Sequence, residues 1–269
     1  MTRRKAKLKP MAPLAELEFS DDSWPPFRCS HCGNPTIQRL GKTITHESAG
    51  SAQAHDHEAW EPEWISGVFV ATAHCLNSSC KETFAISGEY SVEADQYIAP
   101  DGNWDWHYTT NLKPKSFTPP IRLIELPNST PDSVSAAISD ASNLYFSDIS
   151  GTANRLRQAV ECYLDDQKIA RKKRSKSGKL SSLTLHQRIE LLHTKDSIAA
   201  DHLMAVKWIG NVGSHSNDVS REYLDIGLRV VEKVLKLKFD NTDSELARSV
   251  KEIIERKGKP VKKSKKQPF

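Results

Sequence analysis

No stretch of this chain approaches the roughly 18 consecutive apolar residues that a membrane-spanning helix needs, so a helical membrane protein is not expected. The basic opening Met1-Thr-Arg-Arg-Lys-Ala-Lys-Leu-Lys-Pro10 is followed by no apolar h-region, which argues against a secretory signal. The expectation is a cytoplasmic protein with no membrane partner. Cysteine is scarce, five in 269 residues, and in a reducing cytoplasm thiols do not form a disulfide framework. Acids are missing from three segments. Residues 3–9 carry five Lys and Arg, residues 171–179 carry six and residues 256–266 carry seven, with no Asp or Glu in any of them.

Those runs hold 18 of the 38 basic residues, so the remaining 20 face 34 acids and the body of the chain is strongly negative. An acidic body with basic segments reads as nucleic-acid-seeking arms on a folded core. The competing reading is a set of solvated ends that serve solubility. A hydrophobic content of 38% beside 27% charged residues suits a soluble protein with a core, and the length allows two domains.

Four of the five cysteines fall in two pairs. Cys29-Ser-His-Cys32-Gly is a Cys-x2-Cys knuckle, and Cys75-Leu-Asn-Ser-Ser-Cys80 follows after 42 residues. Thiolates from two short loops suit a closed tetrahedral zinc site, structural because no coordination position is left open. His31 and His74 are the alternative fourth ligands. The spacing exceeds the roughly 15–20 residues of a compact ribbon, so the insert is an excursion of its own. Within it, Thr36–Leu40, Trp64–Ala73 and, beyond the second pair's start, Thr83–Val92 read as strands, rich in β-branched and aromatic residues. The polar segment His46–His57 reads as loop, its histidines solvent-exposed rather than metal-bound. Cys162, inside an apolar helical pattern, reads as a buried, unreactive thiol.

Residues 100–131 read as a connector with one short extended segment. Trp104, Trp106 and Tyr108 there are suited either to stacking on bases or to burial at a domain junction, and burial is the preferred expectation. After Pro131 the apolar period becomes 3.6. Asp132 or Ser133, Gly151-Thr152, Ser181 or Ser182, Asp196 and Asp218 are the expected helix starts, with a last amphipathic stretch over 243–257. The predicted organisation is a leader over 1–23, a β-rich zinc ribbon over 24–99, the connector over 100–131, an all-α bundle over 132–257 and a basic tail over 258–269. The fold class is therefore α+β, with the β-rich part first.

Near the end of a long amphipathic helical run stands Lys207-Trp-Ile-Gly-Asn-Val-Gly-Ser-His215. Lys207, Asn211 and His215 are four apart and share one edge of a helix, while Trp208, Ile209 and Val212 are expected to pack inward. The order Pro119-Pro-Ile-Arg-Leu-Ile-Glu-Leu-Pro127, Leu156-Arg-Gln-Ala-Val-Glu161, Leu185-His-Gln-Arg-Ile189 and Gly210-Asn-Val-Gly-Ser-His215 resembles the bacterial domain of unknown function family 4145, in its zinc-ribbon-bearing version. The resemblance implies a HEPN-like helical domain, often dimeric, in anti-phage defence or restriction settings, and a defence-system partner protein. Relatives that cut RNA carry an arginine, then a polar residue, then three residues and a histidine. Here Asn211 and His215 match, but Gly210 takes the arginine position.

His215 is thus the candidate acid or base of a metal-independent ribonuclease, with Asn211 beside it. Lys207, close along the edge, and Arg157 on the facing helix are the candidate displaced cations for the charge that grows on phosphate, with Glu161 to orient either, and a ligand or nucleotide pocket without chemistry is a further reading. The preferred reading is structural: Gly210 and Gly213 let another helix approach closely, and Asn211 and His215 join Arg157 and Glu161 in a polar network. The expected function is a nucleic-acid-associated binding or adaptor protein, with the ribonuclease and a dimerising interaction module as alternatives.

Overall fold

The computed structural model describes residues 19–20, 22–174, 178–215, 220–240, 251 and 254, without the side chains of 213–215. Most of the expected leader, the Asp218 cap, most of 243–257 and the basic tail lie outside the described residues. Among the described residues no helix is long and apolar enough to cross a membrane.

An antiparallel sheet comes first, formed by β1 (Ile37–Glu47), β2 (Ser66–Cys75), β3 (Thr83–Ile98) and β4 (Trp104–Thr118), in that spatial order. Strand alternation explains which face is covered. Phe69, Ala71, Ala73 and Cys75 of β2, Phe84, Ile86 and Tyr90 of β3, and Leu112 and Phe117 of β4 are buried, while Val68 and Val70 face outward. Phe19 pairs with Leu112 and Phe27 with Ile37 through isolated antiparallel bridges. Their rings continue the core, with Phe27 and Phe117 edge to face at 4.9 Å.

Three expectations change here. The supposed connector contains a 15-residue strand, β4, because its mixed sequence satisfies its backbone by pairing with β3 from Trp104 opposite Ile98 to Thr118 opposite Ala85. Trp104, Trp106 and Tyr108 are not buried at a junction. They sit on the part of the β3–β4 hairpin that runs past the end of β2, and they remain exposed. His46–His57 is not plain loop either, since it holds the end of β1 and a short helix, α1 (Ala49–Ala54), capped by the Ser48 side chain. His55 bonds Glu47 at 2.8 Å and lies against Trp60.

Five longer helices follow: α2 (Asp132–Leu144), α3 (Ile149–Asp166), α4 (Leu185–His193), α5 (Ser197–His215) and α6 (Arg221–Phe239). The 3.6 period predicts most of their buried faces. Val134, Ala137, Ile138 and Ala141 of α2, Leu156, Ala159, Val160 and Tyr163 of α3, and Leu224, Leu228, Val231, Val234 and Leu235 of α6 are all buried. The starts differ by a few residues. Pro131 caps α2 without a side-chain bond, Asp148 caps α3 through the Gly151 N–H, and Thr184 caps α4 in a reciprocal capping box with Gln187. Asp196 caps α5 as expected, accepting from the Ala199 N–H at 2.9 Å. Phe117 of β4 against Phe146, centroids 4.9 Å apart, links the sheet to the helical part, and Lys236 of α6 pairs at 2.6 Å with Glu125 of the segment after β4.

The basic run 171–179 falls on a small hairpin, β5 (Lys172–Arg174) paired with β6 (Leu180–Ser182), of which residues 175–177 lie outside the described set. Its foot is tied down. Asp165 accepts from Arg171 Nε at 2.7 Å and from the buried Arg188 guanidinium at 2.7 Å. Arg188 also donates to the Ile169 carbonyl at 3.2 Å.

Candidate metal centre and cationic recess

Two short loops bring the four paired cysteines together. In the first, Gly33 at φ 76° closes the knuckle, donating its N–H to the Cys29 carbonyl at 2.9 Å. Such a positive φ suits glycine because a Cβ would crowd the backbone. In the second, the N–H groups of Cys80 and Lys81 both turn back to the Asn77 carbonyl. The second pair straddles a strand end, since Cys75 is the last residue of β2.

All four Sγ atoms lie within 4.8 Å of one another, with Cys29 and Cys80 at 3.7 Å and Cys32 and Cys75 at 3.5 Å. A tetrahedral ion with metal–sulfur bonds near 2.3 Å separates its sulfurs by roughly 3.8 Å, so spacing and donor chemistry fit a metal ion. The thiols titrate apart from one another. Burial pushes Cys29 up to about 12, while Cys32, against the push of burial, is brought down to about 6 by the Asn34 N–H and the Cys75 thiol. His31 and His74 are not part of the cluster. Cys162 is half-buried, and burial raises its thiol first, with Asp165 adding to the effect, which suits an inert side chain.

The second site lies where α5 crosses α3. A Cβ on Gly210 would stand 2.9 Å from Arg157 Cβ and 3.2 Å from the Ala153 carbonyl oxygen. The glycine therefore does what the sequence suggests: it lets the neighbouring helix come close. Arg157 lies across that gap, its Nε 3.7 Å from Glu161 one turn on. The inward face of α5 is Ala199, Ala200, Leu203, Val206, Lys207 and Gly210. Trp208 and Val212, expected inside, are exposed, as is Ile198, and Ile209 is only partly covered. Gly210 is where α3 comes closest, because a side chain there would collide with Arg157 Cβ and the Ala153 carbonyl.

Lys207 consequently turns inward and is 8% exposed, its ammonium 3.3 Å from the centroid of the Trp208 ring. Arg157, Lys207 and Asn211 line one recess of about 360 Å³ with Thr184, His186 and Trp208. Arg157 and Asn211 are thus brought together, whereas Glu161 does not line this space. The side chain of His215 lies outside the described residues, so only its backbone place, at the end of α5, is set. Thr184 and His186 escape sequence reasoning because nothing in the sequence says which end of α4 abuts α5. Arg188, buried within the α4 stripe, carried a signal only as a charged residue between Leu185 and Ile189.

The chain resembles two families, one in each part. A model described as a domain of unknown function (DUF8608) matches residues 17–117, which include β1 to β3, most of β4 and all four clustered cysteines. Another, a domain of unknown function (DUF4145), matches residues 139–263 and so takes in the α3–α5 crossing. No curated protein and no solved structure matches the chain.

Proposed function

We propose that this chain is a cytoplasmic nucleic-acid-binding adaptor with a structural zinc ion, serving a bacterial anti-phage defence or restriction system as the family resemblance implies. Zinc is the ion that a closed set of four thiolates favours, and with no open position it stabilises the fold without taking part in chemistry. The observation that carries the nucleic-acid reading is the β5–β6 hairpin. Lys172, Lys173, Arg174 and Lys179 are all exposed on it, and Arg171, Asp165 and Arg188 anchor its foot to α3 and α4. A ribbon of cations held on a rigid base can track phosphates without reading bases.

The exposed aromatic row suits nucleic acid less well. Between Glu89 and Leu112 there are five acids and no Lys or Arg, so a phosphate backbone is repelled there. Trp104, Trp106 and Tyr108 instead favour the second reading, a protein-association surface that supports a homodimer. Solution mass, with and without Trp104→Ser and Trp106→Ser, tests it. A monomer at all concentrations overturns it.

Anisotropy with labelled RNA and DNA oligonucleotides across a salt series tests the main reading. Replacing Lys172, Lys173, Arg174 and Lys179 by Gln is expected to flatten the slope of log K against log salt by about 3. Absent or salt-independent binding refutes it.

A further inference from the structure

We propose that the free edge of β4, from Trp104 to Thr110, binds an extended segment of a partner protein in which apolar residues alternate with Lys or Arg. This rests on the reading of the exposed aromatics as a protein-association surface, and it names a basic strand as the partner in place of a second copy of the chain.

Beyond Ser91, the last residue of β3 that β2 pairs, β3 and β4 run on as a two-stranded arm, from Val92 opposite Thr110 to Ile98 opposite Trp104. A two-stranded ribbon by itself is marginal in water. Residues opposite one another in an antiparallel pair share a face, and successive residues alternate between faces. One face of the arm therefore carries Ile98, Trp104, Trp106 and Tyr108 and holds no charged residue. It continues the face on which Tyr90 and Leu112 enter the core, yet its three rings are left 48–69% exposed. The opposite face carries Glu93, Asp95 and Asp105, and no Lys or Arg stands between Glu89 and Leu112 to offset them.

The arm's outer edge is open to a further strand. Leu112 donates to the Phe19 carbonyl at 2.7 Å and accepts from the Phe19 N–H at 3.2 Å, which fixes the side its backbone groups face. In an antiparallel strand those groups turn to the same side at every second residue, so those of Thr110, Tyr108, Trp106 and Trp104 follow Leu112. β4 is an end strand of the sheet, and among the described residues no strand pairs with that stretch. The Trp106 N–H is held by the adjacent Asp105 carboxylate at 2.8 Å, a local bond that an incoming carbonyl can replace. β1, the other end strand, stands across a cleft of about 450 Å³ lined by Thr43, Thr45, Asp22 and Thr110, which leaves a slot beside the edge. Between Trp104 and Thr110 there is neither the Lys nor the Pro that guards a free edge.

The two faces select the occupant. A strand added to an edge turns its side chains alternately to either face of the sheet. On one face they meet Trp106 and Tyr108, where apolar groups are favoured; on the other they meet Asp105, with Glu93 and Asp95 on the strand behind, where Lys or Arg is favoured. A second copy fits this edge less well. Pairing β4 with its own counterpart would set acids beside acids on one face, and like charges so placed are destabilising.

The test titrates the whole protein into a labelled peptide, Lys-Val-Lys-Val-Lys-Val-Lys, and reads anisotropy at physiological salt, where loose charge attraction is screened. Two peptides of the same charge and composition accompany it. One has the lysines and valines in separate blocks, and the other is N-methylated on alternate residues, so that it lacks the backbone donors of one edge. The alternating peptide is expected to bind at least about tenfold more tightly than either control. Asp105→Lys and Trp106→Ser should each bring its binding down to the level of the controls. The N-methylated peptide tests the edge without any variant, should either fail to fold. Equal binding of all three peptides shows charge attraction alone and overturns the proposal. A dimer held by Trp104 and Trp106 that binds no peptide also overturns it, but leaves protein association at this surface standing. A monomer that binds no peptide removes both.

Discussion

Gly210 and Arg157 form the closest point of the α3–α5 crossing: a Cβ on the glycine would stand 2.9 Å from Arg157 Cβ. That contact involves the root of a side chain, which cannot swing aside as a flexible tip can. Gly210→Ala should gain about 1 kcal/mol of helix propensity yet lose about 1–3 kcal/mol to overpacking. The expected result is a destabilised protein, read as a lower urea midpoint with an unchanged slope. A stabilised Gly210→Ala would mean that the crossing is looser than described.

Metal removal separates the clustered thiols from the lone one. Protein purified without chelator should contain one zinc ion per chain, and a strong chelator should lower its Tm. Cys29→Ser and Cys75→Ser, each at a buried ligand position, are expected to lose the ion, while Cys162→Ser keeps both metal and Tm. Elemental analysis with thermal melts decides this. Equal zinc in wild type and Cys29→Ser would refute the site.

The anchor of the basic hairpin should be acid-sensitive. Arg171, hydrogen-bonded to Asp165, and Arg188 on its other side hold that carboxyl below the usual carboxylate range, against the opposing effect of burial. A depressed folded-state pKa means the anchor's stabilisation is complete above the unfolded value, near about 4, and fades as pH falls through the lower folded value. Asp165→Asn leaves the buried Arg188 without its counter-charge. With Asp165 28% exposed, the loss at neutral pH should be about 1–3 kcal/mol. The stability difference between wild type and Asp165→Asn should shrink in acid, as denaturant titrations at several pH values would show. A difference that grows in acid contradicts the assignment.

Exposure distinguishes two sets of aromatics on the same sheet. Trp104→Ala and Trp106→Ala should change stability by about 0.5 kcal/mol or less, since both rings are largely in solvent. Phe84→Ala should cost about 3–5 kcal/mol, because its ring is fully buried. In the monomer acrylamide should quench Trp104 and Trp106 fluorescence efficiently, and self-association through those rings should lower the quenching. Poor quenching, or large losses on their removal, would place those rings in an interface.

The α+β order, the two cysteine pairs and the stripes of α2, α3 and α6 were legible in the sequence. Each depends on local chemistry or on a short period, such as thiolate spacing or the recurrence of Leu and Val every three or four residues. The need for a close helix approach at Gly210 was legible too, because glycine inside a helix is unfavourable without a packing reason. Tertiary structure decided the rest. Which edge of α5 faces inward was set by its crossing with α3 at Gly210, an edge on which Lys207 is buried while Trp208 is exposed. That Trp104–Thr118 pairs as a strand depended on β3 being long enough to receive it. Lys207 and Arg157 come to line one recess only because α3 crosses α5 at Gly210, where a side chain would collide with the Arg157 stem.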